Sequence, residues 1–402
     1  MSAISEAEAA ILDQASNAPM LEQVERWAAI GSGSRNLPGL AELAQCLTGA
    51  FSTLPGEISL EEPAPVESIL PDGRTATLEY GHHLHLNVRP EAPRRILLTG
   101  HMDTVFGADD PFQHLDWLDG SRLNGPGVAD MKGGLAIMLA ALSAFEQSPL
   151  AWRLGYEVVI NSDEELGSSS SAALIARAAQ GKLAALTYEP ALPDGTLAGA
   201  RAGSGNFSIL VTGKSAHAGR NPQEGRNAIV AAADLAVRLK RGSGRGFSCN
   251  PARIDGGGPN NIVPDHAVLR VNFRPMTAPD ERAARELIDE TTASVAREHD
   301  VTMHIHGGFG RPPKPMDVKS ESLFAFVRQC GTELNLDLNW RDTGGVCDGN
   351  NIAACGVPVV DTMGARGGAI HSADEFLIVD SLPERARLSA LVLLRLAEGG
   401  RI

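Results

Sequence analysis

His101, Asp103, Asp130, Glu164, Glu165, Glu189 and His371 are the side chains in this sequence whose types and settings suit hydrolytic metal chemistry. Residues 96–99 are a short apolar run that reads as a buried strand ending at Gly100, and it delivers His101 and Asp103 to the strand's C-terminal end. Asp130 follows a Gly125-Pro126-Gly127 turn and precedes an apolar segment, 133–145, spaced as a helix. Imidazole nitrogen with carboxylate oxygen is a donor set that suits zinc, and Asp103 is placed to orient the imidazole of His101. The same residues are equally compatible with a strand-end histidine and turn aspartates in an ordinary loop.

The β-branched run 156–161 leads straight into Asp163-Glu164-Glu165. Consecutive carboxylates repel one another unless cations or protons compensate them. Adjacent side chains point different ways, so one can ligate a metal while its neighbour faces a bound water as base; a solvated acidic turn is the alternative. The run 183–188 ends at Glu189-Pro190, and 357–363 leads into a Gly-rich loop that holds His371, which by itself reads more often as a satisfied surface histidine. His82, His83 and His85 are read as non-ligands, because neighbours in a strand-like run face different sides.

What must position these groups is a set of strands whose C-terminal ends share one edge, as in an open α/β sheet. At 402 residues the chain is long for one domain. Segments 7–30, 39–51, 320–334 and 381–396 read as helices, and 69–86 as paired strands about a Pro71-Asp72-Gly73 turn. In the middle, 200–213 and 267–274 read as strands and 227–239 and 278–299 as helices, which suggests an inserted α+β unit. The expected division is 1–197 with 312–402 as one domain and 198–311 as the insert.

The charge balance, 35 basic against 49 acidic residues for a net of −14, argues against nucleic acid or an anionic membrane as partner. No segment approaches the length of a membrane-spanning helix, and residues 1–20 are acidic where a secretory signal is basic and then apolar, so the expected location is cytoplasmic. The five cysteines are scattered and lack metal-ligand spacing, which fits reduced thiols.

Together these residues resemble the family of acetylornithine deacetylase, succinyl-diaminopimelate desuccinylase and glutamate carboxypeptidase, the dizinc metallopeptidases and deacylases. The likeness extends to Ser32-Gly-Ser-Arg35, His101-Met-Asp-Thr-Val105, Gly125-Pro-Gly-Val-Ala-Asp-Met-Lys-Gly133, Ser215-Ala-His-Ala-Gly219, Asn261-Ile-Val-Pro264 and His371-Ser372. It is nearest the glutamate carboxypeptidase-like branch, although Cys347 stands where that branch has Ser or Thr, which makes the substrate less certain. The resemblance implies an α/β fold: a zinc-hydrolase domain with a mixed central sheet flanked by helices, plus an inserted α+β dimerisation (lid) domain. It implies two zinc ions per subunit, with cobalt or manganese as substitutes, bridged by Asp130; His101 and Glu189 complete one site, and Glu165 and His371 the other. Glu164 is then the general base, Asp103 orients His101, and the Asp130-Met131 peptide is cis. His217 reaches the partner subunit's site in a homodimer and stabilises the oxyanion, while Asn261 and Arg274 hold the substrate's free carboxylate. The implied reaction is hydrolysis of a small peptide, or of an N-acyl amino acid by a deacylase, with a non-catalytic peptide-binding dimer as the remote alternative.

Overall fold

The computed structural model describes residues 4–244, 246–400 and 402. Its central sheet runs in the order Glu57–Glu61, His83–Val88, Gly155–Asn161, Arg95–His101, Ala184–Thr187, Val359–Val360; the last four strands lie parallel and the first two are joined antiparallel. Successive side chains of a strand point to opposite faces. Ile96 and Leu98 therefore pack into one apolar cluster and Leu97 into another. Both faces are covered, which is why these strands are continuously apolar in sequence rather than alternating.

Helices Gly133–Glu146 and Ser381–Ala397 pack on one face, and Ala172–Ala179 on the other. Only Ser143 and Glu146 of the first helix's 14 residues escape full burial. The apolar span Val128–Glu146 is no clear membrane-crossing helix: the backbone is non-helical at Asp130 and Met131, the regular helix beyond them has 14 residues, and the span is almost wholly buried inside the fold. A helix apolar all round is what a core position between a sheet and other helices requires. The helix read over 7–30 is two, Glu6–Ser16 and Met20–Ala28, because Pro19 has no N–H to continue the ladder.

A second sheet, in the order Phe247–Gly256, His266–Pro275, Ser204–Thr212, Thr302–Arg311, is antiparallel throughout. Phe207, Ile209 and Val211, alternate residues of one strand, join Leu235 and Ile288 from helices Ala228–Gly242 and Ala278–His299 in a separate core. The hairpin Val66–Ile69 and Thr75–Leu78 reaches across to this unit. Arg270 Nη2 donates to Ile69 O at 2.8 Å, and His266 and His306 donate from Nε2 to Pro71 O and Glu67 O, both at 3.1 Å. The paired strands read over 69–86 are thus this hairpin, and His83–Val88 belongs to the central sheet.

The segment 200–213 is not one strand. Leu197–Arg201 pairs parallel with Trp340–Thr343, and Ser204–Thr212 starts the second sheet. Between them, a Cβ on Gly203 would meet Arg311 O and Pro313 N at 2.9 Å, so only glycine fits the crossing. The outgoing and returning chains are bridged by Arg201 N to Lys314 O at 2.9 Å and Lys314 N to Arg201 O at 3.0 Å. Beneath them, Asp361 is fully buried and accepts from Arg201 Nε at 2.7 Å, with Lys314 Nζ at 3.0 Å. Burial opposes its ionisation, but the two cations outweigh burial and hold its pKa below the usual aspartate value.

Removing one partner of a buried charge cluster costs roughly 3–5 kcal/mol, because the remaining charge is stranded out of water. Asp361→Ala is therefore expected to lower unfolding stability by about that amount, read from urea denaturation. Since the folded pKa is depressed, the contribution of Asp361 is complete above about pH 4 and is lost as pH falls through the depressed value. A wild-type midpoint in the alanine variant would show that the two cations find other compensation.

Candidate metal centre

The C-terminal ends of the parallel strands converge on one edge. His101 ends Arg95–His101 beside Asn161, Glu164 and Glu165 follow Gly155–Asn161, and Glu189 follows Ala184–Thr187. His101 is buried and its Nδ1 donates to the Asp103 backbone carbonyl at 2.9 Å. Its Nε2 faces Asp130 Oδ1 at 3.0 Å and Glu189 Oε2 at 3.7 Å; burial opposes protonation of the ring, but these carboxylates outweigh it and hold its pKa well above the usual histidine value. On the other side of Asp130, His371 Nε2 lies 3.3 Å from Oδ2 and 3.2 Å from Glu165 Oε2. The Asp130–Met131 peptide is cis.

The Asp103 carboxylate is 3.5 Å from His101 Nδ1 and has further partners. It accepts from Ser34 Oγ at 2.7 Å, from Glu164 N at 3.1 Å and from Glu165 N at 3.2 Å. Asp103 thus ties the strand end that carries His101 to the turn that carries both glutamates. Glu164 Oε1 sits 2.7 Å from Arg311 Nη2 as an ion pair, but the contact is not aligned for a hydrogen bond. That Nη2 instead donates to Glu164 O and Ser168 Oγ, both at 2.8 Å.

The charges are costly as they stand. Burial, reinforced by neighbouring carboxylates, pushes Glu164 up to about 8 and Glu165 and Glu189 each to about 7. Hydrogen bonds to Asp130 and Glu165 push His371 up to about 11. Asp130 goes the other way: burial opposes ionisation, but the two imidazoles outweigh it. Carboxylates crowded around two imidazole nitrogens, and the Glu189 Oε1 buried with no hydrogen-bond partner, are what a cation would satisfy. The donors His101, Asp130 and Glu165 lie within 4.8 Å of one another, as do His101, Glu164 and Glu189. The residues present therefore fit divalent metal, and Glu164 lies within reach of it as well as of Arg311.

Two groups not singled out in the sequence hold this arrangement. The Glu375 carboxylate accepts from Gly127 N at 3.2 Å and from Ala129 N and Asp130 N at 3.0 Å each. In return Asn124 Nδ2 donates to Glu375 O at 2.6 Å and Ala373 O at 3.1 Å. The loops that carry Asp130 and His371 are thereby clasped to each other. Each partner is an unremarkable polar loop residue in the sequence, and only the position of Glu375 just after His371-Ser372 hints at a role.

A cavity of about 780 Å³ opens over the cluster, lined among others by Arg201, Arg274, Arg311 and Cys347. Arg274 is half-buried and donates from Nε to Asn272 Oδ1 at 2.9 Å. His217 and Asn261 do not line this cavity. They adjoin one another on the second unit, both exposed, with Ala218 N donating to Asn261 O at 2.9 Å. His217 Nδ1 accepts from Gly219 N at 3.1 Å and Arg220 N at 3.2 Å, which makes Nε2 the protonated, donating nitrogen. Cys347 is buried, accepts from Gly349 N at 3.3 Å and lies 3.5 Å from Asp361 Oδ2. The three neighbouring histidines diverge: His83 is buried against Ser162 and Ser170, His85 pairs with Glu61 and Glu157, and His82 pairs with Glu62 at the surface.

The sequence profile of peptidase family M20/M25/M40 matches residues 97–395. Carboxypeptidase G2 of Pseudomonas sp. (strain RS-16) is 28% identical over 338 residues, 81% of this chain and 80% of that protein. Succinyl-diaminopimelate desuccinylase of Janthinobacterium sp. (strain Marseille) is 28% identical over 273 residues, 64% of this chain and 71% of that one. Among solved structures, a tripeptidase from Staphylococcus aureus superposes with a TM-score of 0.72 at 22% identity, covering 94% of this chain and 97% of its own. A metallo-carboxypeptidase from Sulfolobus solfataricus does so with a TM-score of 0.70 at 15% identity, over 93% and 98% of the two chains.

Replacing a group that orients metal ligands commonly costs 10- to 100-fold in affinity. Glu375→Gln turns an amide N–H₂ toward backbone donors, so zinc affinity measured by chelator competition is expected to fall roughly 10- to 100-fold. Unchanged affinity would assign the order of the Asp130 loop to its turn alone.

Proposed function

The chain belongs to peptidase family M20/M25/M40, and from that premise we propose that it hydrolyses the amide joining an acyl or peptidyl group to an amino acid with a free α-carboxylate, as a carboxypeptidase-like exopeptidase. The observation that carries this reading is Asp130 standing between two donor sets, His101 with Glu189 and His371 with Glu165, with Glu164 buried alongside. We assign two zinc ions to these sets, with cobalt or manganese as substitutes. When bound, such a pair polarises the scissile carbonyl and lowers the pKa of the attacking water.

Glu164 serves as general base, taking a proton from that water and returning it to the departing nitrogen. A buried carboxylate beside the metal ligands is placed for both transfers. Arg311 pairs with Glu164 and fixes the carboxylate's approach. Arg274, which lines the cavity, receives the α-carboxylate, a task that suits a guanidinium fork; Asn261, beside His217 and outside this protomer's cavity, assists at the partner subunit's site. His217, which does not line this protomer's cavity and whose Nδ1 is taken by backbone N–H groups, donates from Nε2 to the oxyanion of the partner subunit in a homodimer. N-acyl-amino-acid deacylation is the neighbouring reading, supported by the desuccinylase relatives.

The proposal is tested by incubating zinc-loaded enzyme with a panel of N-acyl amino acids and peptides and identifying the released amine; glutamate released above all others supports the carboxypeptidase-like branch. On the best substrate, Glu164→Gln is expected to keep about two zinc ions per chain by elemental analysis. Its turnover should fall by roughly 10²- to 10⁴-fold. Near-normal turnover would reassign the base.

For His217 the check is complementation. His217→Ala and Glu164→Gln chains, each nearly inactive alone, are mixed under subunit exchange. One site of each heterodimer then regains both groups, so activity should return toward half of the wild-type value per heterodimer. No recovery, with exchange verified by a tagged chain, would place His217 in its own subunit's chemistry.

A further inference from the structure

The cavity over the metal cluster is one of two that meet there. A second, of about 550 Å³, opens between the turn after Glu165 and the strand Thr302–Arg311. Glu165, Arg274, Arg311 and Val346 line both, so the two spaces adjoin beside the cluster. Their characters differ. The first holds Arg201, Arg341 and most of the acidic groups, whereas the second adds only uncharged surface to the shared residues, including Ser169, Asn206 and the stretch 307–310.

That stretch reads Gly307-Gly308-Phe309-Gly310 and closes an edge strand, hydrogen-bonded within the sheet only to Ser204–Thr212. Gly307 is required by the fold: its φ is +100° and a Cβ there would meet Asn206 O at 2.2 Å. Gly308 and Gly310 are not. Neither has a left-handed φ, and a Cβ built on either has no atom of the described residues within 4 Å. Glycine inside a strand is destabilising relative to alanine; Gly310 falls at the bulge between the pairs Gly205–Phe309 and Ser204–Arg311 and its carbonyl accepts from Asn351 Nδ2 at 3.0 Å, whereas nothing in the packing of the chain calls for glycine at 308. The bare backbone keeps the cleft open.

We propose that this second cavity is the subsite for an extended peptidyl group on the acyl side of the scissile bond, lying along the edge at Gly308 and Gly310. The assignment rests on the amide-hydrolase reading and narrows it: the preferred substrates are peptides, and N-acetyl amino acids are poor ones. An extended peptide can add to an exposed sheet edge, where its own amides find partners, and a cavity of about 550 Å³ lies within the size range of ligand sites. An acetyl group would leave that space to water. In the reaction the last peptide C–N bond breaks, water oxygen joins the acyl carbon, and the proton passes through Glu164 to the released nitrogen. The shortened peptide is left in the second cavity and the amino acid in the first.

The test compares N-acetyl and tri-alanyl derivatives of the amino acid that wild-type enzyme releases fastest, with wild type and Gly308→Phe, whose Cβ has open space around it and whose ring would occupy the cleft. Wild type should prefer the tri-alanyl substrate, and in Gly308→Phe the ratio of kcat/KM values, tri-alanyl over acetyl, should fall at least tenfold. If Gly308→Phe melts below wild type, Ser169→Trp on the opposite wall carries the same expectation. Tri-alanine itself, titrated calorimetrically into zinc-loaded Glu164→Gln protein so that it is not turned over, should bind and should lose at least tenfold affinity when either cavity substitution is added. A ratio unchanged within twofold, a wild-type preference for the acetyl compound, or no tri-alanine binding would overturn the subsite. Protein that hydrolyses neither compound would overturn the amide-hydrolase reading, and the tri-alanine titration would then still decide the cavity by itself.

Discussion

Like charges held out of water at close range are the condition around which this molecule is arranged. Asp130, Glu164 and Glu189 are buried on one sheet edge, with Glu165 beside them. The response of each group shows where compensation is already supplied. Asp130, between two imidazoles, stays ionised, whereas Glu164, Glu165 and Glu189 are driven up into the neutral range. A site of this kind is unfavourable for folding and favourable for binding cations, so the surrounding fold has to hold it together. The apolar strands and the almost fully buried helix Gly133–Glu146 provide that support.

The support is local as well as global. Asp103 binds the backbone of the glutamate turn and, through its carbonyl, sets the tautomer of His101. Glu375 and Asn124 clasp two loops to each other. His371 needs that clasp most: its side chain is 51% exposed and its φ is +63°, so neither burial nor ordinary backbone preference fixes it. Backbone N–H groups aimed at a carboxylate also make Glu375 tolerable in the interior, although burial and the nearby Asp130 still raise its pKa to about 7.

Much of this was legible in the sequence where a physical signal is short-range. Residues 96–99 and 156–161 announce buried strands by composition, and the polar residues that end them mark the edge. The family blocks then supply roles that no spacing could. Strands Phe247–Gly256 and Thr302–Arg311 were not read, because they are the outer strands of their sheet, largely half-buried or exposed, and carry little apolar alternation. Glu375 and the Arg201–Asp361–Lys314 cluster were invisible for a different reason. Their partners lie far away along the chain, and no local pattern records a pairing that only the folded chain creates.

The bridge between Arg201 and Lys314 bears on how such a chain can be assembled at all. The strands that supply His101, Glu165 and Glu189 precede the intervening unit, while His371 and its clasp follow it. A long disordered excursion between them would oppose closure, although only weakly, since that entropy grows with the logarithm of length. Here the excursion has its own core and its two ends lie side by side. With those ends held together, the folded unit spans the host no more widely than a short turn would. The same property makes the excursion exchangeable over evolutionary time: its size and surface can change while the two crossing strands, and the sheet edge beyond them, stay where they are.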